Sequence, residues 1–192
     1  MPPVMKRRVV TISVGLLLIG GAVMAQSVPE YALLLDDFSG EPQVSTFGTR
    51  WEGLTDQVMG GVSQMSASVE QTDIGPALHM SGRVSLENRG GFIQMRLPLD
   101  NSGPFDAGDY TGVALYVRGR GDNYYLHLRT PRTVFPWAHF AAGMPVSEDW
   151  QRVEVPFESF EPKYMVGGRL NTARLRSVAV VAGNAAFEAD LW

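Results

Sequence analysis

Residues 113–130 read VALYVRGRGDNYYLHLRT, and the alternation on either side of the central glycines decides the fold class. Val113, Leu115 and Val117 share one face, while Ala114, Tyr116 and Arg118 share the other. Beyond the glycines, Leu126 and Leu128 oppose Tyr125, His127 and Arg129. A period of two with one apolar face is the mark of a half-buried strand. The intervening Gly119, Arg120, Gly121, Asp122 and Asn123 tolerate positive φ, which predicts a hairpin. Such a hairpin sets Tyr116 and Arg118 beside Tyr125, His127 and Arg129 on one wet surface.

Outward from this stretch the same texture continues. Short apolar or alternating segments at 31–38, 62–71, 77–86, 92–97, 138–142, 150–156, 177–181 and 187–192 are separated by Gly, Pro, Asn and Asp. Helical periodicity is absent over any sustained window; residues 147–150 and 156–160 have room for a single turn each. Residues 160–172, with Pro162, Gly167, Gly168 and Asn171, read as a long loop. Regularly spaced short strands predict an all-β sandwich, with no internal repeat and no interdomain linker.

The chain opens with Lys6, Arg7 and Arg8, runs through an apolar stretch from Val9 to Met24, and reaches Ala25 with small Val23 two residues earlier. That is the layout of a cleavable export signal, shorter than the ~20 residues a spanning helix needs. The expected division is a signal peptide at 1–25 and one domain at 26–192, periplasmic or secreted, with no membrane span after cleavage. The remaining 167 residues suffice for one core burying roughly 70% of its unfolded surface. Loss of three basic residues takes the net charge from −4 to −7. An acidic domain without a basic stripe is a poor candidate for nucleic acid. There are no cysteines, which excludes disulfides, thiol catalysis and thiolate metal sites.

Chemistry is sparsely signalled. No G-x-S-x-G elbow occurs, and the histidines, His79, His127 and His139, lack H-x-H or H-E-x-x-H spacing. No pair of the 20 acidic residues stands out as a glycosidase couple. No cofactor is expected. Asp36 and Asp37 with Glu188 and Asp190 would frame a calcium ion if the terminal strands paired, and are otherwise solvated strand-end carboxylates. Two Gly-Gly turns stand out. One holds Asp56, Met59, Gly60 and Gly61, the other Gly90, Gly91 and Phe92; neither leads into a helix, so both read as structural turns rather than phosphate cradles. Most of Trp51, Trp137, Trp150 and Trp192 belong in the core; Trp137, beside Phe135, Pro136 and His139, suits core filling and ligand stacking equally.

Four ordered segments, 56–63 (DQVMGGVS), 86–92 (LENRGGF), 116–130 (YVRGRGDNYYLHLRT) and 149–162 (DWQRVEVPFESFEP), resemble the complex I intermediate-associated protein 30 family. The resemblance covers about 35–192. It implies a galactose-binding-domain-like β-sandwich, or jelly roll, in a family whose best-known members are non-enzymatic mitochondrial chaperones for respiratory complex I. Asp56, Met59, Gly60 and Gly61 match its first signature turn, Gly90, Gly91 and Phe92 its second, and Arg118 and Gly119 the start of its third. The chain departs from the pattern in the extra basic residue Arg120, and in an export-type N-terminus where a mitochondrial protein carries a transit peptide.

The leading expectation is therefore a non-catalytic protein-binding or assembly factor, its partner a protein such as a membrane-complex subunit. The expected partner face is Tyr116, Arg118, Tyr125, His127, Arg129 and Trp137, residue types that dominate interfaces. The alternative is a carbohydrate-binding jelly roll of the cell envelope, with an aromatic stacked on a sugar ring and polar side chains bonded to its hydroxyls.

Overall fold

The computed structural model of the protein describes residues 9–12 and 32–192. The strands are β1 (Val9–Ile12), β2 (Ala32–Leu34), β3 (Glu52–Thr55), β4 (Ser66–Thr72), β5 (Gly75–Val84), β6 (Phe92–Pro98) and β7 (Gly112–Val117). They continue as β8 (Gly119–Arg120), β9 (Tyr124–Arg129), β10 (His139–Gly143), β11 (Gln151–Pro156), β12 (Glu161–Lys163), β13 (Ser177–Gly183) and β14 (Phe187–Leu191). Single 3-10 turns at Asp56–Met59, Glu87–Arg89, Phe157–Ser159 and Thr172–Arg174 are the only helical elements among the described residues. No helix there is long and apolar enough to cross a membrane. Of residues 1–25, only β1 lies within the described part; the rest of the expected export signal falls outside it.

One layer is a six-stranded sheet in the order β12-β10-β9-β13-β6-β3. The other joins two four-stranded sheets, β11-β7-β1-β2 and β4-β5-β14-β8. They meet where Arg118 and Trp192 exchange backbone hydrogen bonds of 3.1 and 2.9 Å. Side chains from both layers form one core: Val113, Leu115 and Val153 on one side, Ile93, Leu126 and Phe140 on the other. Burial of each such side chain contributes about 1.5–3 kcal/mol. The result is the all-β sandwich that the alternation predicts.

The expected hairpin does not form. β7 pairs with β11 and β1, whereas β9 pairs with β10 and β13 in the other layer. Residues 118–123 cross between the layers, and on the way β8 adds to β14. The Tyr124 hydroxyl holds the crossing, donating to the Arg120 carbonyl (2.7 Å) and accepting from the Asp190 amide (3.0 Å). A side chain at Gly119 would stand 2.3 Å from the Asp190 carbonyl oxygen, so the crossing needs glycine there. Period-two alternation reports which face is buried, not which strand is the neighbour.

The other strands lie within a few residues of their expected positions, and the turn predicted at 156–160 is the one at Phe157–Ser159. β1, β3, β8 and β12 arise where no strand is expected, β1 inside the apolar stretch read as export signal and β12 inside the stretch read as loop. The turn allowed at 147–150 is absent.

The terminal strands belong to different sheets, β2 beside β1 and β14 beside β5 and β8. The premise of a calcium site shared by Asp36, Asp37, Glu188 and Asp190 is therefore not met. Asp36 instead accepts from the Phe38 amide and the Trp51 indole, both at 2.8 Å. Asp190 faces His79 at 2.9 Å. Among the described residues no group of three or more His, Cys, Asp or Glu side chains is placed to hold a metal.

Candidate functional site

Along β6 and β9 every second side chain is buried, Ile93, Met95, Leu97, Tyr124, Leu126 and Leu128 turning into the core. The intervening ones, Gln94, Arg96, Tyr125, His127 and Arg129, line the outer face of the six-stranded sheet. Between these strands runs β13. Its Ala179 pairs with Arg96 on one side and His127 on the other, and its Val181 with Gln94 and Tyr125. Small residues on the central strand and long ones beside it make a trough. The resulting cleft has a volume of about 920 Å³.

One rim is built from the two Gly-Gly turns, which a single carboxylate ties together. Asp56 is fully buried and accepts from the Ser63 amide (2.9 Å), the Gly91 amide (2.6 Å), the Phe92 amide (3.3 Å) and the Ser63 hydroxyl. Burial pushes its carboxyl up, but the Ser63 hydroxyl and the three amides outweigh that and hold it below the usual carboxylate range. A side chain at Gly61 or Gly90 would stand 2.3 or 2.4 Å from an Asp56 oxygen, and Gly60 has φ 91°. The signature residues Asp56, Gly60, Gly61, Gly90 and Gly91 are thus a clasp, as structural turns should be. The clasp sets Met59 and Phe92 on the cleft wall.

The opposite rim is the loop 130–138 with Lys163 and Tyr164. Arg129 props this loop, its guanidinium donating to the carbonyls of Thr133 and Phe135, both at 2.9 Å. Burial, then the cations of Arg96 and Arg176, pull Arg129 below the ordinary arginine value. Trp137 stands at the edge, 49% exposed and stacked on Phe135 at 5.3 Å.

At the bottom His127 and His139 stack face to face, centroids 3.8 Å apart. Burial, and then the proximity of His139, push His127 well below the ordinary imidazole value. Burial likewise lowers His139, helped by Arg129 and Lys163. Both rings are neutral at pH 7. His139 Nδ1 lies 2.8 Å from the Trp137 carbonyl, which fixes that nitrogen as the N–H and leaves Nε2 an acceptor. The side-chain polar atoms of Gln94, Tyr125 and His127 have no hydrogen-bond partner among the described residues. Amide, phenol and imidazole groups aimed into a cleft without partners are available to a ligand. Glu161 is the one carboxylate on the cleft walls among the described residues.

Of the expected partner face, Tyr125, His127, Arg129 and Trp137 come together here. Tyr116 and Arg118 do not, because β7 lies in the other layer. Arg118 is sandwiched between the rings of Trp150 and Trp192, 4.9 Å from each centroid. Tyr116 lines a small apolar space with Phe38, Trp51 and Trp192. Of the tryptophans only Trp51 is core; Trp150 and Trp192 are half-buried. Gln94 and Arg96 were legible in the alternation of β6, whereas Lys163 and Tyr164 carried no signal.

Residues 37–188 match the sequence profile of the family described as complex I intermediate-associated protein 30. The chain belongs to that family. The resemblance carried by the four ordered segments is thereby borne out over most of the chain. No curated protein matches it significantly. Among solved structures it is similar to a family 11 carbohydrate-binding module of the cellulosomal cellulase Lic26A-Cel5E of Clostridium thermocellum. That likeness has a TM-score of 0.62 and 16% identity over 82% of this chain and 88% of the other. The family 11 module from Clostridium thermocellum in complex with a β-1,3-1,4-mixed-linked tetrasaccharide gives 0.60 and 16%, over 82% and 89%. At that identity the likeness is one of fold.

Proposed function

We propose that this protein is a non-catalytic glycan-binding protein of the cell envelope, holding an extended sugar chain in the cleft of the six-stranded sheet. The observation that carries the reading is the unpartnered set Gln94, Tyr125 and His127 on the cleft floor beside exposed Trp137. Polar groups spaced along a trough match the hydroxyls of a saccharide, and a rim indole offers a face for a pyranose ring. Hydrolysis of a glycosidic bond needs two carboxyls astride it, and Glu161 has no such partner on the cleft walls. The fold likeness to carbohydrate-binding modules agrees with this reading as analogy only.

Titration of the full chain with a panel of soluble glycans, following tryptophan emission, tests it. A saturable change for at least one glycan, abolished by Tyr125→Ala and His127→Ala, is expected. Flat traces across the panel, with the protein folded, would remove the glycan reading.

A second reading follows from the family, whose description points to assembly of a respiratory complex. One observation favours it. Val134, Phe135, Tyr164 and Val166 are 75, 58, 72 and 98% exposed and frame an apolar groove of about 380 Å³ beside the cleft. Exposed apolar patches of this kind mark protein interfaces. Crosslinked recovery of one protein from envelope extract, lost with Phe135→Ser and Val166→Ser but retained with Tyr125→Ala, would move the function from cleft to groove.

A further inference from the structure

The chain carries 16 basic and 20 acidic residues, yet the cleft walls carry Arg89, Arg96, Arg129 and Lys163 against Glu161 alone. Two of the four cations have carboxylate partners: Arg96 pairs with Glu52 (Nε at 3.0 Å) and Lys163 with Glu161 (3.0 Å). Arg129 is bonded chiefly to uncharged carbonyls, which engage its donors without cancelling its charge. Arg89 has no acidic partner among the described residues. Two positive charges are thus uncompensated in a trough whose remaining charges are paired.

Resting on the glycan reading above, we propose that the natural ligand is a polyanionic polysaccharide, a chain bearing carboxylate or sulfate groups, rather than a neutral glucan. The cations are spread along the trough instead of gathered at one spot. Arg96 on β6 and Lys163 on β12 are four strand spacings apart in the sheet order, ~19 Å, with Arg129 on β9 between them. Lys163 lies opposite His139 on the far edge, and Arg89 stands in the turn at the near rim. A chain laid along such a groove meets a cation at successive positions, as a repeating anion requires. The protein's net charge of −4 disfavours polyanions overall, so the groove provides both attraction and register. Arg96 and Arg129 are half-buried in the trough, where a contact is stronger than in open solvent, while Arg89 and Lys163 stand exposed at its rims.

Calorimetric titration of the full chain with four polymers tests this: polygalacturonate and chondroitin sulfate as uronate and sulfate probes, mixed-linkage β-glucan as the neutral one, polyglutamate as the acidic peptide. At least one polyanionic glycan is expected to bind about tenfold or more tighter than β-glucan and to weaken with salt. The double variant Arg89→Asn, Lys163→Gln should lose about tenfold of that affinity, with thermal unfolding as the control for fold. Asparagine suits position 89 because Arg89 has φ 61°. The uronate and sulfate arms show which anion is read. Equal binding of neutral and charged glycans, unaffected by the double variant, overturns the polyanion inference and leaves the glycan reading standing. Binding of polyglutamate alone, or of no polymer, overturns both.

Discussion

Two clusters of arginine, histidine and tryptophan sit on the two layers of this sandwich, nearly identical in composition and opposite in state. On the layer built of two four-stranded sheets His79, Trp192, Arg118 and Trp150 stack in series, His79 on Trp192 at 3.9 Å and Arg118 between the two indoles. Every polar end there has a protein partner. His79 meets Glu70 at 2.8 Å and Asp190 at 2.9 Å, the Trp150 indole donates to Asp73 at 3.0 Å, and Arg118 pairs with the same carboxylate. On the six-stranded layer His127, His139, Arg129 and Trp137 surround side chains whose hydrogen-bonding capacity is unused. Residue types alone do not separate a brace from a site. What separates them is whether the donors and acceptors are already satisfied.

The largest effect should come from neither cluster but from the clasp that supports the cleft. Asp56→Ala leaves the amides of Ser63, Gly91 and Phe92 without their acceptor in a buried place. A loss of roughly 3–5 kcal/mol is expected, read as a lowered urea midpoint. A loss below about 1 kcal/mol would mean that water takes over the carboxylate's part and that the two rims are held by something else.

Next in size is the exchange of roles between the clusters. Arg118→Ala should cost about 1–2 kcal/mol of stability, through lost cation–π contact and stem packing. It should leave glycan binding untouched. Tyr125→Ala should reverse the pattern, abolishing binding while moving stability by less than about 1 kcal/mol, since its hydroxyl bonds to no group among the described residues. If Arg118→Ala abolishes binding instead, the ladder is a site and the distinction by satisfaction fails.

That pair of residues also shows what the sequence could and could not disclose. Tyr116, Arg118, Tyr125, His127 and Arg129 all occupy the polar phase of a period-two pattern, and each does turn away from its strand's buried phase. Their division between two layers depends on Gly119–Arg120 joining β14, a strand nearly 70 residues later, which no local pattern encodes. The Asp56 clasp is similar. Asp56 is recognisable as a turn residue, but its acceptor role for Gly91 spans 35 residues. Lys163 was hidden differently: a three-residue strand containing Pro162 has neither the length nor the composition of a strand signal. His139 was visible as a residue, while its stacking on His127 is set by the β9–β10 register.

The smallest expected effect is on the acid side of the stability profile, where the clusters should part again. His127 and His139 titrate below the unfolded-state imidazole value of about 6.5, so on acidification the unfolded chain takes up protons that the folded cleft refuses. Their contribution is present above about pH 6.5 and is lost as the pH falls toward their folded values. The groups around them give the same sign: Arg129 and Lys163 oppose a further positive charge, Tyr125 and Tyr164 present phenol rings, and Glu161 is already engaged by Lys163. In the ladder, the Glu70 carboxyl is lowered by His79 and Ser68, so its contribution persists until the pH falls into the carboxylate range. Urea midpoints at about pH 7.5 and 5.5 should therefore drop for the native chain and drop less for His127→Gln with His139→Gln. Glu70→Gln should leave the slope of that interval nearly as steep as in the native chain, because a lowered carboxyl does not titrate there. Equal slopes for all three proteins would mean that the cleft imidazoles are solvated, and the cleft would then lack the dry floor on which its difference from the ladder depends.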